Sequence, residues 1–167
     1  MREIIRNDPI VRKRIKGINE FGKKTDIWLE DLINLQLSLP VSALNTSGLL
    51  QSAQHKLVDS NIKVQSNRSR AVHIKMQAFK EHLMMKETLN RLKGYILSNY
   101  IDDLKAISKT ITERRAFVDS LLENQKKVEN RLDSVVKLAD MVIDDATASG
   151  FTLKRIQETL EQKVKDR

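Results

Sequence analysis

IDDLKAISKTITERRAFVDSLLENQKKVENRLDSVVKLADMVIDDATAS, residues 101–149, decides the fold class. One row of positions seven apart reads Leu104, Ile111, Val118, Gln125, Leu132, Ala139, Ala146. A second reads Ile107, Arg114, Leu121, Val128, Val135, Val142, Ser149, and eleven of the fourteen residues are apolar. A seven-residue apolar period held this long predicts one long helix packed along a seam, in a hairpin or between chains. Gln125 and Arg114 interrupt the rows, and polar seam residues can set register or oligomer state. Asn99 and Asp102 suit its start, and Gly150 is the expected stop.

The preceding segment carries a weaker version of the same pattern. Leu50, Leu57, Val64, Ala71, Ala78, Met85 and Leu92 form one apolar row, while Ser60, Asn67, Glu81 and Thr88 break its partner. A long basic helix is predicted, with residues 51–70 expected to fray or to order only on binding and a break near 94–99. Upstream, a helix over 9–21 has Asn7 or Asp8 as cap, Pro9 in its first turn and Gly22 as stop. Val11, Ile15 and Ile18 line one face of it, against Arg12, Lys13, Arg14 and Lys16. A second, largely apolar helix should begin at Thr25 or Asp26 and end before Pro40, with Trp28 as a packing anchor. Residues 41–48 read as a polar connection, with Ser47 capping the long helix that follows. A short amphipathic helix with Phe151, Leu153, Ile156 and Leu160 on its apolar side closes the chain.

The prediction is therefore an all-α protein: a long helical hairpin or coiled-coil-like bundle with short N- and C-terminal helices. Its segments are 1–40, 41–97, 98–149 and 150–167. Composition agrees, since only 4% of the 167 residues are aromatic and no proline follows Pro40. The packing or oligomer-seam positions are Trp28, Leu104, Ile111, Val118, Leu121, Val128, Leu132 and Val135, and a homo-oligomer is expected.

No catalytic constellation is present. The chain has no cysteine, which excludes disulfides, thiolate metal sites and cysteine nucleophiles. His55, His73 and His82 lie 18 and 9 residues apart, not the three or four that place two ligands on one helix face. The glycines are scattered singly, so there is no phosphate-binding loop. No enzyme activity, metal or cofactor is expected. No apolar run is long enough to span a membrane, and residues 1–7 lack the apolar core of a signal peptide. The expected compartment is the cytoplasm, or a host cytoplasm or virion if the chain is phage-encoded.

Charge supplies the functional clue. The net charge of +8 is concentrated in two segments. Residues 1–24 carry eight Lys/Arg against three Asp/Glu, and residues 63–93 carry eight against two. In the second, Lys63, Arg68, Arg70, Lys75, Lys80 and Lys86 fall along one predicted helix with Phe79 and Tyr95 nearby. Cations neutralise phosphates with release of counterions, and aromatic rings stack on unpaired bases. The candidate nucleic-acid contacts are thus Arg12, Lys13, Arg14 and Lys16 together with those six. An acidic protein partner fits the same charge, and so does a plain solvated face.

Residues 138–161, LADMVIDDATASGFTLKRIQETLE, resemble the end of phage recombination mediators of the UvsY type. The resemblance rests on a helix, Gly150-Phe151 as a turn, Lys154, Arg155 and the pair Ile156-Gln157. It implies a ring-forming helical protein that binds single-stranded DNA and loads a recombinase, with Gly150 and Phe151 serving oligomerisation. Two other classes stay open: a structural coiled-coil subunit of a virion, tail or secretion assembly, and a small regulator presenting a helical groove.

Overall fold

A computed structural model describes residues 1–39 and 50–165. They form α1 (Arg2–Asn7), α2 (Pro9–Leu37), α3 (Leu50–Asn99), α4 (Ile101–Ile107), α5 (Ile111–Leu121) and α6 (Glu123–Lys165). No strand occurs among the described residues, and the protein is an all-α helical bundle. The expected connection over 41–48 and its Ser47 cap lie outside the described residues.

Two expected stops are absent. α2 runs straight through Gly22, so the two N-terminal helices are one. The reason is a row that the glycine and a threonine disguise: Val11, Ile18, Thr25, Leu32 and Leu39 are all buried, seven residues apart. Thr25 does not cap a new helix; its hydroxyl donates to the Phe21 carbonyl at 3.2 Å within α2. Packing along such a row outweighs the ~1 kcal/mol that a mid-helix glycine costs. Gly22 also lies where α2 approaches α6, since a Cβ there would sit 3.5 Å from the Val128 side chain. α6 likewise continues through Gly150, because Leu132, Ala139 and Ala146 are followed by buried Leu153 in the same register.

The long helix expected over 98–149 is divided in three. Thr110 and Glu113 form a capping box, in which Thr110 Oγ1 accepts from the Glu113 amide and Glu113 accepts from the Thr110 amide, both at 3.2 Å. This local exchange starts a new helix at Ile111. Leu122 then interrupts the chain between α5 and α6. The expected rows fail where the breaks fall: Ile107 and Ile111 are exposed, Ile111 at 63%. Leu104, Val118, Leu121, Leu132 and Val135 are buried as expected, and Val128 is half-buried. In α3 the row from Leu57 to Leu92 is buried throughout. Residues 51–70 are helical rather than frayed, and α3 passes Gly94 to end at Asn99. There the Asn99 amide donates to the Tyr95 carbonyl at 3.0 Å.

The chain divides into two compact units. Unit 1 comprises Met1–Ile27 and Gln77–Val135, unit 2 Trp28–Met76 and Val136–Arg167. In unit 1, Ile5, Val11, Leu92, Ile96, Leu104, Val118, Leu121 and Leu122 make the core. Gln125, buried in the α6 row, donates to Asn19 Oδ1 at 3.3 Å. In unit 2, Leu39, Leu57, Val64, Ala146 and Leu153 pack together. Asn67, also buried, donates to the Leu35 carbonyl at 3.2 Å and to Ser38 Oγ at 2.7 Å. Ser38 Oγ donates to the same Leu35 carbonyl at 2.9 Å, so amide and hydroxyl together satisfy the end of α2. Trp28 is half-buried.

Asp8 starts α2, with Oδ1 accepting from the amides of Ile10 at 2.7 Å and Val11 at 3.1 Å. Its Oδ2 accepts from the hydroxyls of Tyr100 at 2.7 Å and Tyr95 at 3.1 Å. The Tyr100 hydrogen bond, with the backbone bonds, holds the Asp8 carboxyl below the usual carboxylate range. The same bond, with burial, pushes Tyr100 up to about 12. Burial first and then Asp8 raise Tyr95. The lowered carboxyl contributes stability above its unfolded pKa of about 4, lost as pH falls through the folded value. The raised phenols contribute stability below their unfolded pKa of about 10, and for Tyr100 it is lost as pH rises toward about 12. Melting temperatures should therefore fall below about pH 4 and above about pH 10. Asp8→Asn should flatten both limbs, and an unchanged profile in that variant would remove Asp8 as their source.

Gly17 and Gly94 are exposed helical positions with nothing within 4 Å of an added Cβ. The double change to Ala is expected to stabilise the protein by about 1–2 kcal/mol, read in urea melts. A loss of stability would mean that these sites are not ordinary helix interior.

Candidate nucleic-acid interface

The helix that carries the second basic segment owes its charge to an acid-free run. No Asp or Glu occurs between Asp59 and Glu81. Packing of the buried α3 row against α2 and α6 turns the remaining positions of that run outward. The structure then divides the candidate cations into two kinds.

Arg70 and Lys75 are tied within unit 2. Arg70 Nη2 lies 3.2 Å from Asp31 Oδ2 of α2, and Lys75 Nζ lies 2.6 Å from Asp140 Oδ1 of α6. Lys93 in unit 1 is held in the same way, 2.7 Å from Asp119 Oδ1. Its hydrogen bond lowers the Asp119 pKa despite partial burial. Partly exposed pairs of this kind contribute up to about 1 kcal/mol, so they orient side chains more than they stabilise the bundle. Lys63, Arg68, Lys80 and Lys86 are exposed and form no ion pair with another described residue. Arg91 pairs with Glu87 one turn away.

In unit 1, Phe79 stands 52% exposed beside Lys80, with Leu83 and Met84 also exposed. On α2, Arg12 and Lys13 are exposed, Arg14 is half-buried, and Lys16 lies 3.9 Å from Glu20. Lys13 and Arg14 border a groove of about 710 Å³ between α2 and α3, whose floor includes Ile18, Phe21, Met84 and Met85. Lys24 Nζ sits 5.2 Å from the Phe21 ring centroid. Cations therefore flank apolar and aromatic surface on both helices of this unit, an arrangement suited to a phosphate chain with unstacked bases.

No family model, curated protein or solved structure matches the chain. The Gly150-Phe151 pair lies inside α6 rather than at a turn, with Phe151 66% exposed. Among the described residues no group of three His, Asp or Glu is placed to hold a metal, and His82 Nε2 lies 3.8 Å from Glu129. No described helix is long and apolar enough to cross a membrane.

Neither capping box nor ion pairing was read from the sequence, although Thr110-x-x-Glu113 is a recognisable start signal. The ion pairs of Arg70, Lys75 and Lys93 carry no sequence signal, since their partners lie on other helices.

Proposed function

We propose that this chain is a non-catalytic helical protein that binds nucleic acid, single-stranded DNA foremost, and works as an oligomer. A recombination mediator of the type its C-terminal segment resembles is the role that fits this reading. The observation that carries it is that cations of α3 without an ion pair among the described residues stand near an exposed ring: Lys80 and Lys86 with Phe79 in unit 1, while Arg68 is likewise unclaimed in unit 2. Cations set affinity without sequence preference, and an exposed aromatic ring favours unpaired bases over a closed duplex.

The test is fluorescence anisotropy of a labelled single strand across a salt series, with duplex competitor. Binding should weaken with a slope of log K against log salt of about −2 to −4, from about 0.7 per neutralised phosphate. Absence of binding at low salt would sink the reading.

A second reading, a structural helical subunit of a virion, tail or secretion assembly, is favoured by exposed Ile27, Ile33 and Leu37 on α2. Sedimentation that shows a defined oligomer indifferent to DNA would select it.

A further inference from the structure

Unit 2 holds a cleft of about 580 Å³ between α3 and α6. Small residues open it, since Ala146 and Gly150, one turn apart on α6, leave the space that larger side chains would fill. An added Cβ at Gly150 would meet Val64 alone, at 3.9 Å, in ordinary contact. Around this space stand Arg68, Asn61 and Gln65 from α3, and Phe151, Lys154 and Gln157 from α6. No acidic side chain lines it.

We propose that this cleft is a subsite for one nucleotide, its base against the Phe151 ring and its phosphate between Arg68 and Lys154. The proposal rests on the nucleic-acid reading above and deepens it. Phe151 is a phenylalanine 66% exposed on a helix whose neighbouring row is buried, so packing within the unit does not account for it. A free aromatic face with two cations in one cleft meets both demands of a nucleotide, a π surface and an anion. Arg68 forms no ion pair with a described residue, and Lys154 is held only loosely, 4.0 Å from Glu158 on its own helix. The amides of Asn61, Gln65 and Gln157 can donate and accept, so they can address any base edge. Gln157 already donates to Glu161 at 3.0 Å, which leaves its carbonyl oxygen available. This assignment gives Phe151 a role in DNA contact instead of the oligomer contact that the C-terminal resemblance implies.

The experiment compares an oligothymidylate with an abasic strand of the same length, using anisotropy with the full chain. Phe151→Ala should weaken oligothymidylate binding by about 5- to 150-fold and leave the abasic strand within about twofold, because stacking needs a base. Phe151→Trp should restore affinity. Lys154→Gln should weaken both strands and reduce the salt slope by about 0.7. Circular dichroism verifies that each variant stays helical, and Phe151→Leu, which keeps the apolar bulk, should behave as Phe151→Ala. Equal weakening on both strands, or no weakening while the wild type binds oligothymidylate, would overturn the subsite and leave the nucleic-acid reading standing. If the wild type binds neither strand at low salt, both fall. Competition by free thymidine monophosphate, lost in Phe151→Ala, would show that the cleft takes a single nucleotide; competition retained in that variant would overturn it.

Discussion

Leu132→Ala is expected to lower the unfolding free energy by about 2.7–5 kcal/mol, while Ile111→Ala costs under about 1 kcal/mol. The two residues occupy the same seven-residue row and look equivalent in the sequence. Leu132 is fully buried in unit 1, so truncation loses the transfer free energy of three carbons and leaves a cavity. Ile111 sits in the first turn of α5, just after the Thr110 cap, and is 63% exposed. In a chain of this size each kcal/mol shifts the melting temperature by about 2–4 °C, so the pair separates clearly in a thermal scan. Should Ile111→Ala prove as costly as Leu132→Ala, Ile111 is covered in solution, and a second copy becomes the natural cover. Repeating the melts across protein concentration would then reveal it, because an oligomer's stability depends on protomer concentration.

The second large effect is expected in binding. Changing Arg68, Lys80 and Lys86 together to Ala should weaken single-strand affinity roughly 30-fold at low salt and flatten the salt slope by about 2. Changing Arg70 and Lys75 to Ala should alter affinity less than about threefold. The contrast follows from what each cation already touches. A phosphate approaching Arg70 or Lys75 must displace Asp31 or Asp140, which recovers little free energy beyond the pair it breaks. Among the described residues, Arg68, Lys80 and Lys86 have no ion-pair partner to give up. If the paired set proves the more damaging, the bound strand must pull those cations off their carboxylates, and the assignment of contacts is reversed.

Much of the fold could be read directly from the sequence. The α3 row from Leu57 to Leu92 and the α6 row from Leu132 to Ala146 are where the seven-residue period put them. Glycine punctuation misled at Gly22 and Gly150, because a local cost of ~1 kcal/mol is small against burial on both sides of the residue. The signal for continuity was present, in Leu153 seven residues after Ala146 and in Leu32 fourteen after Ile18. Thr25 hid the latter by standing at a row position as a polar residue whose hydroxyl is satisfied by its own helix. The cations themselves were legible. Which of them are engaged was not, since Asp31, Asp140 and Asp119 come within reach only when helices distant in sequence pack. The cleft around Phe151 depends on the absence of side chains at Ala146 and Gly150, a property of two helices together.

Rows of Leu, Val and Ala seven apart resemble a ruler whose marks carry no numerals. Sliding α3 along α2 in unit 2 by one repeat, about 10.5 Å, would return most apolar residues to similar neighbours. Asn67 supplies the numeral. Such a slide brings Ser60 or Ile74 to the end of α2 and parts the Asn67 amide from both of its acceptors, the Leu35 carbonyl and Ser38 Oγ, and a buried amide left without a partner costs about 1–3 kcal/mol. A single amide thus distinguishes one alignment from its near-copies, and what it contributes is a choice among similar states more than strength in any one of them.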